Sequence, residues 1–265
     1  MKTNGLTAIA DRLGTRAGIA EMHGYFEQHR TRLSLTLDSF DLWKITGKRI
    51  LEIGPFFAYT PFLFRQQGNE VTVLEGTDPV VTPLLELYKA EGIRCDQYNL
   101  LRIFATSGQG KAKLPYDDGA FDAFICFETM EHLNFNPVPF VREIHRILAP
   151  GGRAYITVPN IAKLDFRIRL MLGRTIRTPI SEYYQFADYN ASEFLGFHWR
   201  EYLLDEIVEL FSRGGFSIER ATHLNTFIDR EAMSLSRRVK RALGRIAIAI
   251  WPGMSQNCVL LARKA

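Results

Sequence analysis

The chain has 265 residues, of which 46% are hydrophobic and 23% charged, and a formal net charge of +4 at pH 7. It is long enough for one large domain or a core domain with appendages, and its balance is that of a globular protein in water. The positive charge is mild and no dense basic and aromatic stripe occurs in the first two hundred residues, so no nucleic-acid partner is expected.

The N-terminus lacks the apolar core of a signal peptide, and no apolar run approaches the roughly 20 residues that cross a bilayer. A cytoplasmic protein is therefore expected. Three cysteines, Cys95, Cys126 and Cys258, lie far apart and form no CxxC pair. They read as reduced core residues, and neither a disulfide framework nor a metal is expected.

Residues 1–46 show no convincing strand. Ile19, Met22, Phe26, Leu33, Leu37 and Phe40 recur at mostly three- and four-residue spacings, which predicts one or two helices ending before Thr46-Gly47. This segment reads as a lid or an oligomer contact, and a homodimer stays open.

From residue 47 onward, strands and helices alternate. Strands are predicted at Arg49–Ile53, Glu70–Leu74, Ile93–Tyr98, Phe121–Phe127 and Arg153–Val158. Helices fall between them at Thr60–Gln67, Val80–Ala90 and Pro137–Leu148, with Gly68, Gly92 and Pro150-Gly151-Gly152 as breakers. Residues 160–200 read as an irregular, aromatic and polar insertion. A helix at Glu201–Ser212, a strand at Phe216–Arg220, a helix at Arg230–Ile250 and a last strand at Asn257–Ala262 complete the chain. Strands separated by helices predict a parallel sheet covered on both faces.

In such a sheet, ligands bind beyond the carboxyl ends of the strands. The first of these ends reads Glu52-Ile53-Gly54-Pro55, where Gly54 permits a tight turn and close approach of backbone to a ligand. The second ends in Glu75-Gly76. An ionised carboxylate accepts two hydrogen bonds, which suits the two hydroxyls of a ribose. The third ends in Asn99, whose side-chain amide beside a backbone N–H could read a purine edge, although Asp96 could be the polar member instead. The fourth ends in Glu128-Thr129-Met130-Glu131-His132, an abrupt polar cluster after an apolar strand. His132 there is either a general base or a structural hydrogen-bonding residue.

The blocks "RILEIG", "VTVLEGTD", "LPYDDGAFDAFICFETMEHL" and "FVREIHRILAPGGRAYITVPN" resemble the class I S-adenosylmethionine (SAM)-dependent methyltransferases, in the branch acting on small molecules, lipids and sugars. The resemblance covers about residues 48–160. "HWREYLLDEIVELFSRGGFSIERA" and "NCVLLARK" resemble that family's late helix and strands. It implies a Rossmann-like, doubly wound α/β fold with a seven-stranded, mostly parallel sheet and an antiparallel last strand. The methyltransferase domain would span 47–265, with insertions at about 160–200 and 229–253.

By position, the resemblance places Glu52, Gly54, Pro55 and Phe56 under the methionine portion of SAM. It gives Glu75 and Gly76 the ribose, Asn99 and Leu100 the adenine, and brings Phe127 and Glu128 toward the methionine. Two departures stand out. The family's second and third glycines of the first turn fall on Phe56 and Ala58, and Asn99 stands where Asp is usual.

Methyl transfer to a hydroxyl needs alignment and profits from a base. His132 is the first candidate and His198 the second, with Tyr183, Tyr184 and His198 lining the acceptor side. O-methylation of a sugar, as in polysaccharide biosynthesis, or of another small hydroxylated acceptor is the expected activity, resting on family analogy. The alternatives are an inactive methyltransferase-like scaffold and a membrane-surface enzyme acting on a lipid-linked acceptor. The latter is suggested by residues 230–251, where Leu235, Val239, Leu243, Ile246 and Ile250 share one helical face among arginines. Packing of that face on the domain or on a second subunit is the favoured expectation.

Overall fold

A computed structural model describes residues 7–9, 11, 20–55, 58–76, 82–106, 112–185, 197–226 and 235–265. Seven strands form one sheet: β1 (Arg49–Ile53), β2 (Glu70–Glu75), β3 (Arg94–Gln97), β4 (Phe121–Phe127), β5 (Leu148–Pro159), β6 (Phe216–Leu224) and β7 (Asn257–Lys264). Their order is β3-β2-β1-β4-β5-β7-β6. Pairs from β3 to β5 are parallel, and β7 runs antiparallel to both β5 and β6. This is the expected Rossmann-like, seven-stranded arrangement. Winding reverses between β1 and β4, so their carboxyl ends flank the crevice where a ligand is received.

Nine helices accompany the strands among the described residues: α1 (Ala20–Ser39), α2 (Tyr59–Gln66), α3 (Thr82–Ala90), α4 (Leu100–Thr106), α5 (Pro137–Ile147), α6 (Leu164–Met171), α7 (Ile180–Gln185), α8 (Leu204–Arg213) and α9 (Leu235–Ile250). Strand side chains alternate between two cores, as a pleat requires. Ile50, Val73, Ala123 and Ile125 pack with Phe26, Leu37, Phe62 and Tyr88 on one face. Leu51, Ile53, Phe124 and Cys126 pack with Phe104, Phe140, Ile144 and Phe211 on the other. All three cysteines are free thiols, and Cys126 and Cys258 are buried.

The structure corrects the sequence reading in several places. Helix α4 was not anticipated. Its seven residues are too few to show a periodicity, and it starts because Asn99 Oδ1 accepts the Arg102 N–H at 2.8 Å. Residues 160–200 are not irregular throughout, since α6 and α7 lie within them. These helices bury little. Of the eight residues of α6 only Phe166 is buried, and Met171 is 85% exposed, so no amphipathic signature marks them. Strand β5 begins at Leu148 rather than Arg153, because Leu148 already pairs with Phe121 before a register shift that bulges out the Pro150-Gly151-Gly152 segment. The expected starts of helices at Val80 and Arg230 fall outside the described residues.

At its described positions the apolar face of α9 does not pack on the domain. Leu243, Ile246 and Ile250 are 62%, 57% and 61% exposed, while Gly244 and Ile248 are buried. The helix buries Gly244 and Ile248 and turns its larger apolar residues outward. No described helix is long and apolar enough to cross a membrane.

Candidate active site

The first strand end places a carboxylate where water cannot reach. Glu52 on β1 is buried, and its Oε1 accepts the Thr60 hydroxyl at 2.5 Å. Its Oε2 is buried and makes no hydrogen bond among the described residues. Burial pushes the Glu52 carboxyl up to about 8; the Thr60 hydrogen bond opposes this and the charge of Glu75 adds to it.

The chain leaves β1 through Gly54 at φ +59°, where a Cβ would lie 2.8 Å from Thr129 Cγ2. Only glycine lets the β4 end approach this closely. Phe56 lies outside the described residues. Ala58, at the third family glycine position, adopts φ +62°, the left-handed conformation that glycine takes without strain.

At the end of β2, Glu75 is buried and its Oε1 accepts the Tyr88 hydroxyl at 3.4 Å. Its backbone oxygen accepts the Tyr98 N–H at 2.9 Å, which sets the following turn against the sheet. Beyond β3 the Asn99 oxygen is committed to Arg102, and the Leu100 N–H donates to Tyr98 O at 2.9 Å. Both groups given to an adenine edge by the sequence reading are thus engaged within the chain. The Leu100 side chain packs against the core.

The end of β4 is the most structured part of the site. Glu128 takes a left-handed φ of +51°, which re-aims its side chain at the strand terminus. Its Oε2 accepts Arg32 Nη1 of α1 at 3.0 Å and Asn257 Nδ2 of β7 at 2.6 Å. Phe127 stacks on Phe40 at 5.8 Å between ring centroids. Both contacts join the N-terminal helical segment to the site.

A 3-10 turn, Met130–His132, follows. Its Glu131 backbone oxygen accepts the N–H groups of Trp199 and Arg200 at 2.7 and 3.3 Å. This clasp delivers the segment before α8 to the end of β4. Phe197 O then lies 3.1 Å from His132 Nδ1, and the rings of His132 and His198 meet edge-on at 4.8 Å between centroids. His198 Nδ1 is 3.0 Å from Glu201 Oε1. Tyr183 stacks on Phe197 at 4.5 Å, whereas Tyr184 is largely exposed.

A cavity of about 290 Å³ opens beside His198, lined by Lys163, Phe166, Arg177, Glu182 and Glu201 among others. The structure therefore brings together His132, His198 and Tyr183 from distant parts of the chain, and leaves Tyr184 apart. Arg32, Asn257 and Glu201 were not singled out from the sequence. Arg32 and Asn257 carry no local signal because their partner Glu128 lies on another element; Glu201 pairs with His198 only three residues away.

These features define a class of protein. A buried, unpartnered Glu52 oxygen, a glycine turn at the switch point and a buried carboxylate ending β2 fit a ligand carrying both a cationic group and a ribose. Comparison with known proteins agrees. Residues 51–156 match the family described as methyltransferase domain. A probable S-adenosylmethionine-dependent methyltransferase of Mycolicibacterium smegmatis is 27% identical over 205 residues, covering 77% of this chain and 64% of the relative. The ubiquinone biosynthesis O-methyltransferase of Pseudomonas aeruginosa is 27% identical over 117 residues, 44% of this chain and 46% of that protein. The chain thus spans less than two thirds of the length of either relative. In fold, it is similar to the methyltransferase solved with the Haloferax volcanii Trm112 activator, with a TM-score of 0.61 at 14% identity over 95% of this chain and 96% of that one. Residues 51–156 are thus similar to a methyltransferase domain, and the chain shares the fold of solved methyltransferases.

Proposed function

We propose that the protein methylates a hydroxyl group of a small polar acceptor, with a sugar as the first class to test. The carrying observation is His198, which lines a cavity walled by both cationic and acidic side chains and whose ring meets that of His132 beyond the end of β4. Such a lining suits a hydroxyl-rich acceptor better than an apolar one. Glu52, Gly54, Pro55 and Phe56 are assigned to the methionine portion of the cofactor. Glu75 and Gly76 take the ribose, Asn99 and Leu100 flank the adenine, and Phe127 and Glu128 border the methionine.

Bound SAM supplies a methyl group already activated on a sulfonium. What remains for the chain is to align an oxygen and accept its proton. His132, held through Nδ1 by Phe197, is the first residue placed to do so, and His198 is the second. Lys163, Arg177 and Glu182 orient the acceptor.

Calorimetric titration with SAM, followed by labelled-methyl transfer to a panel of sugars and nucleotide sugars, tests this reading. Binding of SAM without transfer to any hydroxyl acceptor would overturn the acceptor assignment. Absence of SAM binding would leave the scaffold alternative. A specific observation, the outward apolar residues of α9, favours a second reading in which the acceptor is lipid-linked and the enzyme works at a membrane surface.

A further inference from the structure

We propose that Glu131, His132 and His198 form a binding site for one divalent transition-metal ion at the mouth of the acceptor cavity. One ligand-type atom from each of the three residues lies within 4.8 Å of the other two. Two imidazoles and a carboxylate are a preferred donor set for zinc and its neighbours, with a position left open for a further oxygen. Tetrahedral ligands at about 2.0–2.1 Å from a metal stand about 3.4 Å apart. The His132 Nε2 to Glu131 Oε1 separation is 3.9 Å, so modest side-chain movement closes the set.

Two further observations point to a cation. Glu131 is 1% exposed, and its Oε2 is buried with no hydrogen-bond partner among the described residues. The other oxygen, Oε1, faces His132 Nε2 at 3.9 Å, and a buried carboxyl with one oxygen unmet is costly unless a further group meets it. In addition, each histidine directs Nδ1 at an oxygen that can only accept. For His132 it is Phe197 O at 3.1 Å, and for His198 it is Glu201 Oε1 at 3.0 Å. Nδ1 must then carry the proton, and Nε2 keeps its lone pair. This is the outer-shell arrangement that orients metal-ligating histidines. A site built only for proton transfer needs one imidazole oriented in this way; here two are, and their rings meet beside Glu131.

The cation site stands on these side chains alone, while its role rests on the acceptor assignment made above. With the ion bound, His132 and His198 serve as ligands rather than bases. The acceptor hydroxyl takes the open position, its oxygen becomes more acidic, and its proton leaves to solvent water. The ion therefore departs from the metal-free site expected from sequence.

The test uses full-length protein stripped by chelator and titrated calorimetrically with Zn²⁺, Mn²⁺ and Mg²⁺, with cobalt(II) absorption as an independent reading of ligand type. We expect one equivalent of ion and a visible cobalt band. His198→Ala should weaken binding at least tenfold, with an unchanged circular dichroism spectrum. Glu201→Gln, which removes an outer-shell partner, should weaken it about 10-fold or more. His198 is exposed, so its variant reports on the site even if Glu131→Gln fails to fold. No ion binding by the wild type, or binding unchanged in His198→Ala, overturns the proposal. Ion binding without methyl transfer to any hydroxyl would overturn the acceptor assignment and leave the site standing. Transfer unaffected by chelation would overturn the role given to the ion.

Discussion

Glu52 shows how one residue can tie stability to pH. Its carboxyl is raised from an ordinary 4.5 to about 8, chiefly because burial removes its hydration. Between these values the folded chain holds a proton that the unfolded chain has released. The stability this proton contributes is fully present below pH 4.5 and is lost as pH rises through about 8. Thermal unfolding of the cofactor-free protein should therefore show a melting temperature that falls across this window. Glu52→Gln should remove part of the slope. Burial also raises the Glu131 carboxyl, so the difference between wild type and variant isolates Glu52.

Ala58 carries the second lesson at this scale. It holds the conformation of the glycine usual in this class, so the unusual first turn keeps its backbone path at that position while changing its residue. Ala58→Gly should relieve left-handed strain but add freedom to the unfolded chain. The net gain should be about 1 kcal/mol or less, seen as a small rise in denaturation midpoint. A loss of stability would show that the Ala58 methyl, which is buried, matters more for packing than for strain. The acids ending β1 and β2 were legible because their type and spacing follow from ligand chemistry. Arg32 was not, because a single sequence gives no sign of which distant element an exposed-looking charge will meet.

Elements were legible in proportion to the surface they bury. Strands β1 and β4 coincide with their sequence expectations, since both sit mid-sheet and read as apolar runs. Helix α5, with Phe140, Val141, Ile144 and Ile147 buried, was equally plain. Helices α6 and α7 were missed because they cover a cavity rather than a core. Helix α1 was seen as a helix, but its role was not. Its Arg32 forms a partly buried ion pair with Glu128 at 3.0 Å, across the mouth of the site. Arg32→Ala would leave Glu128 with Asn257 as its remaining described hydrogen-bond partner. A destabilisation of about 2 kcal/mol is expected in urea titration, more than an exposed pair would give. A change within error would mean that α1 is held by Phe26 and Leu37 alone.

At the scale of the whole molecule, the outward residues of α9 matter most. Leu243, Ile246, Ile250 and Trp251 are exposed together near the last strand, and the sequence of this helix is rich in arginine. Periodicity marked the helix as amphipathic, but it could not say which side the domain would take. The full-length protein is expected to sediment with vesicles containing anionic lipid at low ionic strength and to be released as salt is added. Leu243→Glu with Ile246→Glu should abolish sedimentation without changing SAM affinity. No sedimentation at low salt would exclude the membrane-surface reading.

The clasp between Glu131 and the Trp199–Arg200 segment has a kinetic and mechanical consequence. It closes the segment that leaves β5 at Pro159 back onto the end of β4, where the Phe197 carbonyl holds His132. Closing such a loop is entropically expensive, and the segment between carries helices that bury little. The acceptor half of the site is therefore a separate cooperative unit, opening at a free energy below that of the sheet. Low concentrations of urea should abolish turnover while circular dichroism and SAM binding persist. A protease nick between α6 and α7 should separate the two functions in the same way, giving a protein that still holds its cofactor and no longer presents it to anything.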